Sequence, residues 1–216
     1  MDLETYKQDE KQMLLQHTLT QRNIDTSTVW RKQVLNGEMP AVQALLKAVN
    51  EYARPNRTCL DLGSADGPQY FGLKKFYPEI KWTGCEISQD YIDLFINALK
   101  IEGITEEPKT IKVIDYKDLS SIPDNSYDVV TSRSALSHYT PEHAFIIIDE
   151  MLRVCSKAVI IKFYQSPNEL EDRYVEGFAN MENKGYFVFW SKTKWDNYIK
   201  DKKVTWYSTQ VVVIEK

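Results

Sequence analysis

Cysteine and histidine are both scarce in this sequence, and neither is clustered. Cys59, Cys85 and Cys155 stand apart, each in or beside an apolar run, with no Cys-x-x-Cys pair and no Cys/His spacing. An odd, scattered set excludes a disulfide framework and a structural zinc site, and predicts buried free thiols in a reducing compartment. No metal site is expected. No stretch approaches the ~20 consecutive apolar residues of a membrane-spanning helix. There is no basic excess either, with 27 Lys and Arg against 31 Asp and Glu. A nucleic-acid-binding domain carries a basic patch or stripe. The one lysine-rich stretch here, Lys192 to Lys203, is interrupted by Asp196 and Asp201 and reads as a solvated face. Neither nucleic acid nor a membrane is expected as a partner. The opening residues, Met1-Asp-Leu-Glu-Thr5, are polar and acidic, unlike a signal peptide, and the expected location is cytoplasmic.

What is present is an ordinary globular composition, 43% hydrophobic and 27% charged over 216 residues. That length suits a single domain with a substantial core. Residues 1–55 read as helical, with breaks near Asn23-Ile24-Asp25-Thr26 and at Asn36-Gly37. Val42, Leu45, Leu46 and Val49 mark one amphipathic stripe there. From residue 58 short apolar strands alternate with helices, the pattern of βαβ units on a parallel sheet. Strands are expected at Thr58–Leu62, Lys81–Ile87, Thr110–Ile114, Tyr127–Thr131 and Ala158–Phe163, with helices over about 68–77, 88–102 and 140–154. Ser88 and Thr140 stand at helix starts, Thr140 being followed by Pro141 and Glu142. Residues 164–190 read as an irregular insertion. Residues 191–216 read as a helix and a hairpin, Val204–Tyr207 with Gln210–Glu215. Too few residues join the hairpin strands for a parallel crossover, so the last strand runs antiparallel.

In an open sheet of this kind, ligands bind at the carboxyl ends of the strands. The turn after the first strand, Asp61-Leu-Gly-Ser-Ala-Asp-Gly67, offers Gly63 and Gly67 for positive φ and close approach of a ligand. A dinucleotide fingerprint spaces its glycines GxGxxG, whereas here the spacing is GxxxG, with the acid Asp66 where a pyrophosphate would lie. Together with Asp61, Glu86 and Asp115 that acid predicts an acidic rim, suited to a ligand with cationic groups and no phosphate. Glu86, ending the second strand, suits both hydroxyls of a ribose. Asp115 suits the amino group of adenine, with Ile87 and Tyr116 against the ring faces.

The ordered segments DLGSADG, GCEIS, VIDYKDL, IPDNSYDVVTSRSALSHYTP and EMLRVCSKAVIIKF resemble the class I S-adenosylmethionine-dependent methyltransferase family, and within it the small-molecule methyltransferase-domain group. The resemblance covers residues 58–163 motif by motif. It implies a three-layer α/β/α Rossmann-like fold, with a mostly parallel seven-stranded sheet, an antiparallel last strand and an N-terminal helical lid. It implies S-adenosyl-L-methionine as cofactor, S-adenosyl-L-homocysteine as product, and a small-molecule acceptor. By the same carry-over Asp61, Gly63, Ser64 and Gly67 hold the methionine end, and Ser132 and Arg133 lie beneath it. Glu86 takes the ribose, and Ile87, Asp115 and Tyr116 take the adenine.

His138 is the candidate catalytic base. In such proteins the insertion after the fifth strand and the N-terminal helices wall the acceptor pocket, so Tyr6, Trp30, Tyr164, Tyr186 and Trp190 are candidate lining residues, and His17 and Arg31 lie on the same helices. Two departures from the family pattern stand out: Ala65, where relatives often have Cys or a third Gly, and Pro68 directly after Gly67. After the fourth strand the chain reads Thr131-Ser-Arg-Ser134. It lacks the Asn/Asp-Pro-Pro-aromatic motif of base-modifying amino methyltransferases. Three other readings stay open at this point: a non-catalytic partner subunit that keeps the fold, a protein or peptide methyltransferase, and an NAD-dependent oxidoreductase.

Overall fold

A computed structural model describes residues 24–176 and 186–216. Two helices come first, α1 (Ile24–Leu35) and α2 (Pro40–Tyr52), broken at Gly37, whose φ of 73° turns the chain between them. The core then alternates β1 (Thr58–Leu62), α3 (Pro68–Phe76), β2 (Lys81–Glu86), α4 (Gln89–Ile101), β3 (Thr110–Lys112), β4 (Tyr127–Arg133), a short 3-10 helix (Ala135–His138), α5 (Pro141–Val154) and β5 (Cys155–Lys162). β6 (Arg173–Glu176), β7 (Tyr186–Phe189), α6 (Lys192–Ile199), β8 (Lys203–Ser208) and β9 (Val211–Glu215) complete the chain.

Seven strands form one sheet in the order β3-β2-β1-β4-β5-β9-β8. β1 to β5 are parallel, and β9 runs antiparallel to both β5 and β8. The tight β8–β9 turn forces the second of these pairings. Ser208 Oγ accepts from the amides of Gln210 and Val211 at 3.2 and 3.1 Å and reverses the chain within two residues.

Side chains alternate between the two faces of each strand, and that alternation makes the three layers. Leu60, Leu62, Val130, Val159, Ile161, Val212 and Ile214 point one way, into a core shared with α5 and α6. Cys59, Val129, Ala158, Ile160, Val211 and Val213 point the other way, against α2, α3 and α4. All three cysteines are free and buried. The α2 stripe docks on the second core through Val42, Leu45, Leu46, Ala48 and Val49. α1 is fastened beside it by the buried Arg31, whose Nε donates to Glu102 at 2.8 Å and whose guanidinium lies 5.2 Å above the Phe71 ring. Among the described residues no helix is long and apolar enough to cross a membrane.

Several boundaries differ from the sequence reading for physical reasons. β3 stops at Lys112 because it is an edge strand and Asp115 turns the chain away, its Oδ1 accepting from the Lys117 amide at 2.9 Å. Ile114, expected inside the strand, is 79% exposed. β4 runs on to Arg133 because β1 and β5 flank it to its end, Ser132 pairing with Leu62 and Ile161 and Arg133 with Lys162. The insertion is not wholly irregular, since β6 and β7 pair as a two-stranded antiparallel ribbon. Thr140 and Ser88 occupy the expected N-cap positions without a side-chain bond to the helix.

Candidate functional site

The turn after β1 is held in place by β2. The amides of Gly63 and Ser64 both donate to the Cys85 carbonyl, at 2.9 and 3.2 Å. Gly63 has φ of 71°, and a Cβ on it would stand 2.4 Å from the Ala135 methyl group. Gly67 has φ of 74°, and its Cβ would stand 2.2 Å from the Phe95 ring. Neither position can carry a side chain. Between them Ala65 also has positive φ, at 49°, in a region costly for an L-residue with a Cβ. Its amide donates to Glu86 Oε2 at 2.8 Å, which fixes that conformation.

Glu86 is the knot of this end of the sheet. Besides Ala65 it accepts from the amides of Ile87 and Ser88, at 2.8 and 3.0 Å, and from the Tyr116 hydroxyl at 3.1 Å, all three on Oε1. Burial raises its pKa, and the four donors oppose that rise. Tyr116 is buried too, and desolvation beside the Glu86 charge pushes its phenol well above the usual value. Ile87 is buried next to them. Asp115 stands outside this knot, half-exposed, its charge 3.9 Å from the Lys117 ammonium.

Asp61 is 1% exposed and lies under the turn on the α3 side of the sheet. Its oxygens accept from Trp82 Nε1 and Thr131 Oγ1, both at 3.2 Å, and Thr131 in turn accepts from Gln69 Nε2 at 2.7 Å. Desolvation pushes the Asp61 carboxyl up to about 7, against the opposing charge of Arg133 and these hydrogen bonds. Asp66 is 2% exposed, and Ser64 is buried.

The expected acidic rim is therefore corrected. Asp61 and Glu86 are buried in the strand ends and Asp66 in the turn after β1, and two cations, Arg133 and Lys162, end the neighbouring strands β4 and β5. Strand alternation separates Ser132 from Arg133, which the sequence reading placed together. Ser132 is fully buried on the α5 side, its hydroxyl without a hydrogen-bond partner among the described residues. Arg133 lies on the Asp61 side, 5.9 Å from the Trp30 ring, so α1 covers this corner. Burial lowers the Arg133 pKa, against the Asp61 charge.

Beyond β5 an aromatic wall rises. Tyr164, 41% exposed, stacks on Phe187 with centroids 4.6 Å apart, and the His138 ring lies 4.8 Å from the same Phe187 ring. Trp190, expected in this wall, is a core residue instead. It is 2% exposed, donates to the Tyr139 carbonyl, and packs against Phe145, Phe163 and Trp195. Its position next to the N-cap of α6 draws it under α5. Tyr6 and His17 lie outside the described residues, as does the side chain of Tyr186. A cleft of about 590 Å³ opens at the same end of the sheet, between Gln165, Asn168, Trp206 and Gln210. It lies toward the β8 edge, away from Asp61 and Glu86.

Sequence reasoning placed Thr131 at a strand end without giving it a role, and missed Trp82 and Lys162. A signal existed for the last: Lys162 breaks an otherwise apolar run, on the same face as Ala158 and Ile160.

Residues 59–158 match the family model described as a methyltransferase domain. An uncharacterized methyltransferase of Schizosaccharomyces pombe is 28% identical over 134 residues, 56% of this chain and 47% of that protein. The chain thus spans about half the length of this curated relative. Among solved structures, the PH0226 protein of Pyrococcus horikoshii OT3 superposes with a TM-score of 0.60 at 20% identity, over 81% of this chain and 87% of that one. An S-adenosylmethionine-dependent methyltransferase of Clostridium acetobutylicum superposes at 0.55 and 12% identity, over 81% and 89%. At such identities these structures establish a shared fold.

Proposed function

We propose that residues 59–158, which match the methyltransferase-domain model, form a methyltransferase domain of the class I, S-adenosylmethionine-dependent type, and that the chain transfers the sulfonium methyl group of that cofactor to an oxygen or nitrogen of a small-molecule acceptor. The observation that carries the proposal is the Glu86 knot. A buried carboxylate at the end of β2 is hydrogen-bonded to the glycine turn after β1, next to the switch in strand order between β1 and β4, the region in which open α/β sheets take nucleosides.

The residues present fit this cofactor. Glu86 Oε2 has one donor and a free lone pair for a ribose hydroxyl, and Oε1 gains room when the Tyr116 hydroxyl turns away. Ile87 and the Tyr116 ring supply apolar faces for the adenine, and Asp115 an acceptor at its edge. Gly63 and Ser64 line the methionine end, with Arg133 for its carboxylate and the Asp61 charge below for its ammonium. Gly67 lets the turn close over Phe95. The buried acids disfavour a pyrophosphate, which counts against a dinucleotide.

When bound, the cofactor supplies an already activated methyl group, so the protein's own task is orientation and exclusion of water. The turn and Glu86 hold the donor from below. Trp30 covers the Arg133 corner, and Tyr164 and Phe187 wall the acceptor side. His138, against Phe187, is the group placed to accept a proton where the acceptor must lose one. Incubation with methyl-labelled S-adenosylmethionine and a panel of phenols, carboxylic acids and amines tests this. Label in a small-molecule product, with S-adenosylhomocysteine formed in equal amount, is the expected result. Label only in added protein, or none with any acceptor, would count against it.

A further inference from the structure

Lys162 stands outside the cofactor contacts. It ends β5 on the face shared by Ala158 and Ile160, and its register partner across β4 is Arg133. Two cations therefore close neighbouring strands side by side. Like charges so placed repel, and each loses hydration on burial. Arg133 is compensated by the Asp61 charge, but among the described residues Lys162 has no carboxylate partner. Its Nζ donates to the Ser134 hydroxyl at 3.2 Å and lies 6.0 Å from the centroid of the Tyr164 ring. Desolvation and the Arg133 charge bring its pKa down to about 8, which leaves it mostly cationic at neutral pH. An ammonium ending a buried apolar strand, kept without a counter-charge, is costly unless a ligand supplies one.

We propose that Lys162, with the Ser134 hydroxyl and the exposed ring of Tyr164, is the recognition site for an oxyanion on the methyl acceptor, so that the acceptor is a carboxylate- or phosphate-bearing small molecule. The inference rests on the methyltransferase reading. It assigns the two cations separate tasks: Arg133, tied electrostatically to Asp61 and covered by Trp30, serves the cofactor, and Lys162, beside the aromatic wall, serves the acceptor. An oxyanion there gains a charge-assisted hydrogen bond from Nζ and a second from Ser134, and a flat body attached to it lies along Tyr164.

The experiment titrates the S-adenosylhomocysteine complex with benzoate, phenyl phosphate and neutral benzamide at constant ionic strength, following the backbone amides of Ser134, Ala135 and Tyr164 by NMR. Benzoate or phenyl phosphate should saturate these shifts, the tighter of the two naming the oxyanion, and benzamide should not. Lys162→Met should weaken the anion by about tenfold or more, the loss of one charge-assisted bond. Lys162→Arg should restore most of it. Both variants should fold, because Met removes a buried charge and Arg keeps one. Absence of saturation by either anion in the wild type, or equal saturation in Lys162→Met, would overturn the proposal. So would loss of S-adenosylhomocysteine affinity in Lys162→Met, which would assign the lysine to the cofactor's own carboxylate. Failure of the wild type to bind S-adenosylhomocysteine at all would instead refute the methyltransferase reading on which the proposal rests.

Discussion

The amide of Ala65 donates to Glu86 Oε2 at 2.8 Å, so the acid that ends β2 holds a left-handed alanine in the turn after β1. One carboxylate thereby shapes the turn from the end of the neighbouring strand. The strain at Ala65 is measurable. Ala65→Gly relieves it while adding freedom to the unfolded chain, and the relief is the larger effect. Urea unfolding should show the variant more stable by about 1 kcal/mol, with the Glu86 bond retained.

The Tyr116 hydroxyl occupies Glu86 Oε1 where a ribose hydroxyl would compete for it. Tyr116→Phe keeps the ring and removes the competitor. Its affinity for S-adenosylhomocysteine, measured by calorimetry, should match or exceed that of the wild type. Its stability should fall by about 1 kcal/mol for the lost hydrogen bond. A large loss of affinity would mean that the hydroxyl itself contacts the ligand.

Asp61 imposes a pH dependence whose sign follows from its raised pKa. The fold favours the protonated carboxyl, so its contribution to stability is fully present below the ordinary value of 3.8 and is lost as pH rises through about 7. The charged groups facing it are Arg133, which opposes the shift, and Glu86, which adds to it. Asp61→Asn removes the titration and can keep the Trp82 bond through its amide oxygen. Stability curves of the two proteins should lie closest near pH 4 and diverge toward pH 8, the variant becoming relatively more stable by an amount on the order of a few kcal/mol.

Gly67→Ala drives a methyl group into the Phe95 ring and strains a backbone at φ of 74°. Thermal or urea unfolding should report a loss of about 2 kcal/mol or more. Pairing it with Phe95→Leu should recover part of the loss, because the collision goes and the strain stays.

The sheet was legible in the sequence because its strands are apolar runs interrupted by turn residues. β1 keeps its expected limits, and β9 runs antiparallel as the short turn before it demands. The site was legible only where backbone geometry dictates residue type. Gly63 and Gly67 have no tolerable substitute, and an acid closes β2. What the sequence hid depends on tertiary contact. Trp190 reads as one more aromatic in a variable insertion until α5 and α6 enclose it. Ser132 and Arg133 look like neighbours in one site until the pleat sends them to opposite faces. The acids of the turn read as a rim, but Trp82 and Thr131 hold Asp61 inside.

Whether Glu86 holds a nucleoside cofactor is decided by calorimetric titration of the wild type and of Glu86→Gln with S-adenosylhomocysteine and, separately, with NADH. The wild type should bind S-adenosylhomocysteine with roughly micromolar affinity, the variant at least about tenfold more weakly, and neither should bind NADH. Equal affinity in the variant, or tight NADH binding, would contradict this reading.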